Sequence, residues 1–336
     1  MKVSVLLPFS PSDARAPRRL AELVADGSAD RLWMGHSFGV DSLQAMAAVA
    51  GSGLAVPCGL AVGLVPVRTS YDAALQARSA AVLTGHPFVL GLGIGNARFA
   101  RAVTGRPVLP STDTVQQVRE VRTLLDGGTV GGGTVGGGDD GDEVEAVALL
   151  PLACPPVEVG AGVLRARHAE AVGAVADAAI TFLAPRDHLT STVIPALERG
   201  AAAGGRPVPR IVSLVHVALD RPGRDTTEVL VAGAAGHVAL PHYRAMLDEA
   251  GAVRVDDDPG DAVRRLVRSG DLAAGSLEDV VAHLADLAAR GVDEVVLHAG
   301  GVGATHGMAA MLDELRTIAS AWRTTDRSAV QAGRTP

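Results

Sequence analysis

The chain has 336 residues, 48% hydrophobic and 20% charged, which is ample for a large core and too apolar for a disordered chain. Its net charge of -7, with Lys2 as the only lysine, gives no basic field and argues against a nucleic-acid partner. Aromatic residues make up only 3%, so aliphatic side chains must fill the core, as they do in parallel strands buried on both faces.

Short apolar runs alternate with longer helical stretches, the pattern of repeated βα units. Val3 to Phe9 predicts the first strand, with Pro8 at its exit, and Ala14 to Ala25 a helix. Arg31 to Gly35 is the second strand; Asp41 is placed to cap a helix through Ala50. Leu54 to Val65 is the third strand, followed by a helix from Tyr71 to Leu83, and Phe88 to Gly95 is the fourth. Thr112 to Leu125 is amphipathic, with Val115, Val118, Val121, Leu124 and Leu125 along one stripe. Gly127 to Glu143 repeats GGTVG and reads as a flexible surface loop, too poor in side chains to pack.

Beyond it, VEAVALLPL and then PPVEVG, ending at Gly160, supply the fifth strand, and a helix spans Val163 to Val175. Asp177 to Leu183 is the sixth strand, with a helix between Arg186 and Ala203, and Arg210 to Leu219 is the seventh. A long helical region follows, then a helix from Ser276 to Arg290, where Ser276 and Asp279 form a capping-box analogue. Val292 to Ala299 is the last strand and Met308 to Trp322 the last helix. About eight βα units in a chain of this length predict an α/β fold, a single closed (β/α)8 TIM-type barrel over 1–325. Residues 326–336 read as a disordered C-terminal tail.

Cys58 and Cys154 stand far apart and form no metal or redox motif, and their rarity fits a reducing cytoplasm. The apolar start is too short for a signal h-region, and no stretch approaches the roughly 20 apolar residues of a membrane span. A soluble cytoplasmic protein is expected. The glycines of the fourth strand, Gly91, Gly93 and Gly95, imitate a dinucleotide fingerprint, but Asn96 stands where its last glycine belongs, and the segment comes fourth, not first. Such glycines also let a strand crowd its neighbours. His237 and His242, around Pro241, have no recognised metal spacing, so no metal site is expected. Asp256 to Asp258 reads as a solvated turn. His298 ends the last strand and could line a barrel mouth.

Five segments in this order resemble the luciferase-like monooxygenase superfamily, in particular its F420-dependent branch: WMGH, GLAVGLVPVRTSYDAALQA, PFVLGLGIGNARF, VEVGAGVLRARHAEAVGAVADAAITF and AGSLEDVVAHLADLAARGVDEVVLH. The resemblance implies an oxidoreductase using coenzyme F420, with FMN as the alternative cofactor. An FMN-dependent monooxygenase and a non-catalytic flavin-binding relative are the competing readings. It implies catalysis by His36, which leaves the second strand directly, although Gly35 replaces the acid that precedes this histidine in several relatives. Gly93, Gly95 and Asn96 would edge the ring system, Asn96 replacing the glutamate of sugar-phosphate dehydrogenases. Ala61 and Val62 would back the ring across a non-prolyl cis peptide, with Val62–Gly63 the next best bond. Gly160, Ala161, Gly162 and Val163 would receive the cofactor phosphate at a helix start, near Arg165 and Arg167. The implied substrate is a small molecule or peptide: a neutral natural-product intermediate from secondary metabolism, for instance a dehydroamino acid in a modified peptide. A homodimer is also implied.

Overall fold

Among the residues described by the computed structural model (1–105, 111–135 and 142–332), the apolar runs form eleven strands. They are β1 (Lys2–Leu7), β2 (Leu32–Met34), β3 (Cys58–Leu64), β4 (Phe88–Gly93), β5 (Thr129–Val135), β6 (Asp142–Ala148), β7 (Val157–Gly162), β8 (Ala178–Phe182), β9 (Arg210–Leu219), β10 (Ala273–Gly275) and β11 (Glu294–His298). β1, β2, β3, β4, β7, β8, β9 and β11 pair in parallel in that order, and β11 returns to β1. This is the closed (β/α)8 barrel. β10 adds a short flank to the far end of β9.

The intervening helices begin where local chemistry satisfies their first N–H groups. Asp41 accepts from the amides of Leu43 and Gln44 and caps the helix Ser42–Gly51, as expected. Ser276 and Asp279 form a full capping box on the helix Leu277–Ala289. The acidic run is a turn that caps the helix Pro259–Arg268 through Asp258. The last helix, Gly300–Ala332, breaks at Gly307 and enters the stretch expected as a tail, of which 333–336 lie outside the described residues.

Two elements differ from the sequence reading. The glycine-rich stretch is not an open loop through its length: β5 and β6 pair antiparallel, from Thr129 opposite Ala148 to Val135 opposite Asp142. Backbone pairing needs no side chains, which is why composition missed it. Residues 136–141 lie outside the described residues. Consequently VEAVALLPL belongs to this hairpin and its exit, and β7 alone is the fifth barrel strand. The helix after β7 is also shorter than expected, spanning Ala166–Gly173.

Alternation along each strand sorts side chains into those facing the helices and those facing the barrel axis. The inward set forms layers. At the amino end, buried Glu294 accepts from Ser4 Oγ (2.6 Å) and Trp33 Nε1 (2.7 Å), and lies against Arg210 (3.0 Å) and Arg31 (3.5 Å). Above it Leu6, Trp33, Val89, Ala178, Ile180, Val212, Leu214 and Val296 form a dry cluster. The Trp33 ring occupies the space a Cβ at Gly59 would need, 2.7 Å away, so glycine there lets one indole fill the axis. The carboxyl-end layer is different: it holds Gly93, Gly162, Phe182, His216 and His298 at the strand ends.

Candidate active site

At the mouth, β3 carries a bulge. Leu60 pairs with Leu90 and Gly63 with Leu92, so one extra residue is accommodated around Ala61 and Val62, whose peptide bond is cis. The Val62 side chain packs on the inner cluster and spans the glycines of two neighbouring strands. A Cβ at Gly93 would meet it at 2.8 Å, and one at Gly162 at 3.7 Å. Val62, Gly93 and Gly162 thus form one continuous wall. Gly91 is covered by Ile180, and Gly95, with φ of 67°, by Leu64, so β4 uses these glycines to admit its neighbours' side chains. Of the wall glycines, Gly162 is the one where a Cβ would make only ordinary van der Waals contacts, at 3.7 Å to Val62 and 3.9 Å to the Leu92 carbonyl.

His36 stands at the rim beside this wall. Its strand exit touches the bulge, since a Cβ on Gly35 would lie 3.4 Å from the Ala61 carbonyl. Its ring meets Phe38 edge-on at 5.2 Å and Phe99 at 5.7 Å, and those two rings meet each other at 5.0 Å. Half-buried His36 is held below the usual imidazole range by burial first and by Arg68 second, while Asp41 works against both. Arg68 leaves β3 and donates to Asp41 Oδ2 at 2.8 Å and to Gln76 at 3.0 Å. Asp41, engaged by Arg68 and by the helix amides, is the carboxylate whose charge acts on His36. Asn96, exposed at the end of β4, caps the helix Ala97–Thr104 through Oδ1, and its amide NH2 is the part left for a ligand.

The four residues expected to receive a phosphate do not face one way. Ala161 and Val163 are wholly buried on the outer face of β7, packed toward the helices. The Val163 amide donates to the Ile180 carbonyl at 2.8 Å, which removes it as an anion donor. The alternation of β7 explains this: Gly160 and Gly162 point inward and Ala161 and Val163 outward. Gly160 is pressed against Ala178, a Cβ there lying 2.7 Å from the Ala178 carbonyl. The helix itself begins at Ala166, with Arg165 at its cap position and no side chain capping it. Its first turn, with Arg165, Arg167 and His168, has no side-chain cap on its amides.

Opposite the wall stands a group that sequence reading did not assemble. His216 on β9 and His298 on β11 are register partners with ring centroids 4.0 Å apart. His237, from the last turn of the helix Thr226–Val238, joins them at 5.7 Å from each. Phe182 stacks on His216 (5.2 Å) and His298 (5.6 Å). In sequence His237 stands near His242, a spacing with no recognised metal geometry; the fold brings it to His216 and His298. The available signal was strand parity, which puts His216 and His298 on the inner face together.

A closed parallel barrel whose polar side chains gather at the carboxyl mouth is the architecture of a barrel enzyme. The chain belongs to the luciferase-like monooxygenase family, whose profile matches residues 1–294. No curated protein matches it in sequence. Among solved structures it is similar to an F420-dependent secondary alcohol dehydrogenase in complex with an F420-acetone adduct (TM-score 0.66, 18% identity, 94% of this chain and 98% of that one). It is similar also to a coenzyme F420-dependent tetrahydromethanopterin reductase from Methanopyrus kandleri (TM-score 0.64, 15% identity, 95% and 98% covered). A third is an EDTA monooxygenase from Chelativorans sp. BNC1 (TM-score 0.71, 15% identity, 97% and 94% covered). At these identities the likeness is one of fold. No helix among the described residues is long and apolar enough to cross a membrane.

Proposed function

We propose that the protein is an F420-dependent oxidoreductase that moves a hydride to or from a C=C or C=N bond of a small molecule. The observation that carries this reading is the mouth itself: a side-chain-poor wall from Val62, Gly93 and Gly162, with His36 at its edge. A flat ring system suits such a wall, because neither Gly93 nor Gly162 puts a side chain in its way. When bound, the cofactor supplies the hydride; the chain's share is orientation and proton handling. Ala61 and Val62 would back the ring, while Gly93 and the Asn96 amide would edge it, with Gly95 behind Leu64. Gly160 to Gly162 lead to the uncapped turn at Ala166, whose N–H groups and positive dipole end suit a phosphate. His36, sheltered by Phe38 and Phe99, holds or returns the proton that hydride transfer to an unsaturated acceptor requires.

The substrate class that suits this mouth is a neutral unsaturated natural-product intermediate, a dehydroamino acid of a modified peptide being one candidate. A homodimer is part of the same reading. An FMN-dependent monooxygenase is the second reading, favoured by the likeness to the EDTA monooxygenase. Calorimetric titration of the wild type and Gly162→Val with F420 and with FMN tests both. Tighter binding of F420 is expected, weakened strongly in a folded Gly162→Val. Tighter FMN binding with oxygen consumption would transfer the protein to the monooxygenase reading, binding without turnover would mark the non-catalytic flavin-binding relative, and affinity for neither would overturn the cofactor reading.

A further inference from the structure

The imidazoles of His216, His237 and His298 are not explained by the wall or by His36. Their ligand-capable atoms all lie within 4.8 Å of one another. His216 is wholly buried, and neither of its ring nitrogens has a hydrogen-bond partner. A buried polar group left unpaired is destabilising, so such a pair of orphaned nitrogens calls for a ligand. We propose that these three histidines bind a divalent transition-metal ion of the zinc class at the barrel mouth, with a fourth coordination position open to a small ligand.

The donor set defines the ion. Three imidazole nitrogens, without a thiolate and without a carboxylate among them, suit zinc, cobalt or nickel and not calcium or magnesium. An imidazole binds an ion through an unprotonated ring nitrogen. Both ring nitrogens of His216 and Nδ1 of His237 are buried without a hydrogen-bond partner, so no protein group competes with an ion for them. The Gly300 amide donates to His298 Nδ1 (3.2 Å), which places the proton of the neutral ring on Nε2; coordination through Nε2 requires the other tautomer, with the Nδ1 proton turned to the residue's own carbonyl. Phe182, with Tyr243 edge-on to it at 5.5 Å, provides an apolar shell. A tetrahedral ion with metal–nitrogen bonds of about 2.0–2.1 Å needs nitrogens about 3.4 Å apart, so the rings must close by about 1–1.5 Å, within reach of small side-chain rotations.

Three protein ligands with one vacant position is the arrangement of catalytic sites, in contrast to the four of structural ones. Facing the glycine wall, the ion would polarise an oxygen or nitrogen of the bound substrate; that use rests on the oxidoreductase reading, whereas the binding of the ion does not.

The test uses the full chain after chelator treatment and dialysis, titrated with Zn²⁺ by calorimetry and with Co²⁺ by visible absorption. One ion per chain is expected, with a Kd of about 1 μM or below and the intense bands of tetrahedral cobalt. His237→Ala sits at a helix end and is expected to stay folded while weakening binding by about 100-fold or more. His298→Asn is expected to do the same, and His242→Ala, beside the cluster in sequence, to bind as the wild type. No uptake at about 100 μM Zn²⁺, or unchanged affinity in a folded His237→Ala, overturns the proposal. Since these are measurements of metal alone, failure of the cofactor reading leaves them interpretable.

Discussion

His36 takes its character from three neighbours on different elements. Burial and Arg68 lower its proton affinity and Asp41 raises it, so the ring charges only below the ordinary imidazole range. A positioned proton donor is worth about 10²–10⁴-fold in rate. His36→Ala is therefore expected to keep the fold and most cofactor affinity and to lose turnover by a factor in that range, measured as kcat with reduced F420 and an unsaturated acceptor. An unchanged kcat would make it a spectator. Asp41→Asn preserves the helix cap but removes the charge that favours protonated His36. The pH limb of kcat/KM assigned to His36 should then move to lower pH; movement upward would contradict the electrostatic assignment. Much of this site was legible as residue identities. Val62, Gly93 and Gly162 do meet, while Ala161 and Val163 face outward, because the sequence motif carries no marker of which residue of a strand pair points in. His216 was invisible inside RIVSLVHVAL, since a lone histidine in an apolar strand acquires meaning only once His298 is set opposite it.

The β5–β6 hairpin shows what patterning can and cannot convey about an element. Hydrophobic periodicity located the barrel strands because each buries side chains on both faces. It failed on TVGGGTV, where pairing is carried by main-chain hydrogen bonds alone. Described side chains of this hairpin are exposed, with Val130 only partly buried, and the first buried anchor after it is Leu149. Replacing residues 129–148 by a short Gly-Ser link, keeping Leu149, is expected to shift Tm by no more than about 2 °C, in line with surface changes of ±0.5 kcal/mol. A larger fall in Tm, or a change in oligomeric state by light scattering, would show that the hairpin supports an interface. The same reasoning explains the misassigned fifth strand: β6 and β7 are both strand-like in sequence, and only the closed ring distinguishes the one that fits between β4 and β8.

Viewed along its axis, the barrel separates stability from chemistry. The amino end is held by the Glu294 network and the carboxyl end carries the candidate site. Burial alone would raise the Glu294 carboxyl, but Arg31, Ser4, Arg210 and Trp33 outweigh it and keep it below the usual carboxylate range. Its unfolded counterpart therefore takes up a proton first. The stabilisation is complete above the unfolded value of 4.5 and is lost as pH falls through the folded one. Glu294→Gln leaves the buried Arg31 guanidinium without its carboxylate, while Arg210 keeps Glu158 at 2.6 Å, and is expected to cost about 3 kcal/mol at neutral pH in urea denaturation. The variant's stability should also fall less steeply on acidification than that of the wild type. Equal acid limbs would show that Glu294 is not the group responsible. The barrel itself was legible from the rhythm of the chain; its polar floor was not, because Ser4, Arg31, Arg210 and Glu294 lie in four separate segments, and none announces the others.

The indole that plugs the barrel gives the molecule an optical signature. Trp33 is wholly buried, donates to Glu294 and touches Gly59, and the only other tryptophan, Trp322, lies outside the barrel with its Nε1 on the Met1 carbonyl at 3.2 Å. With Trp322 replaced by phenylalanine, the remaining emission would come from a single ring in a dry, fixed dipolar field. Its colour and lifetime would then report the closure of the eight-stranded ring directly, from inside and without an added label.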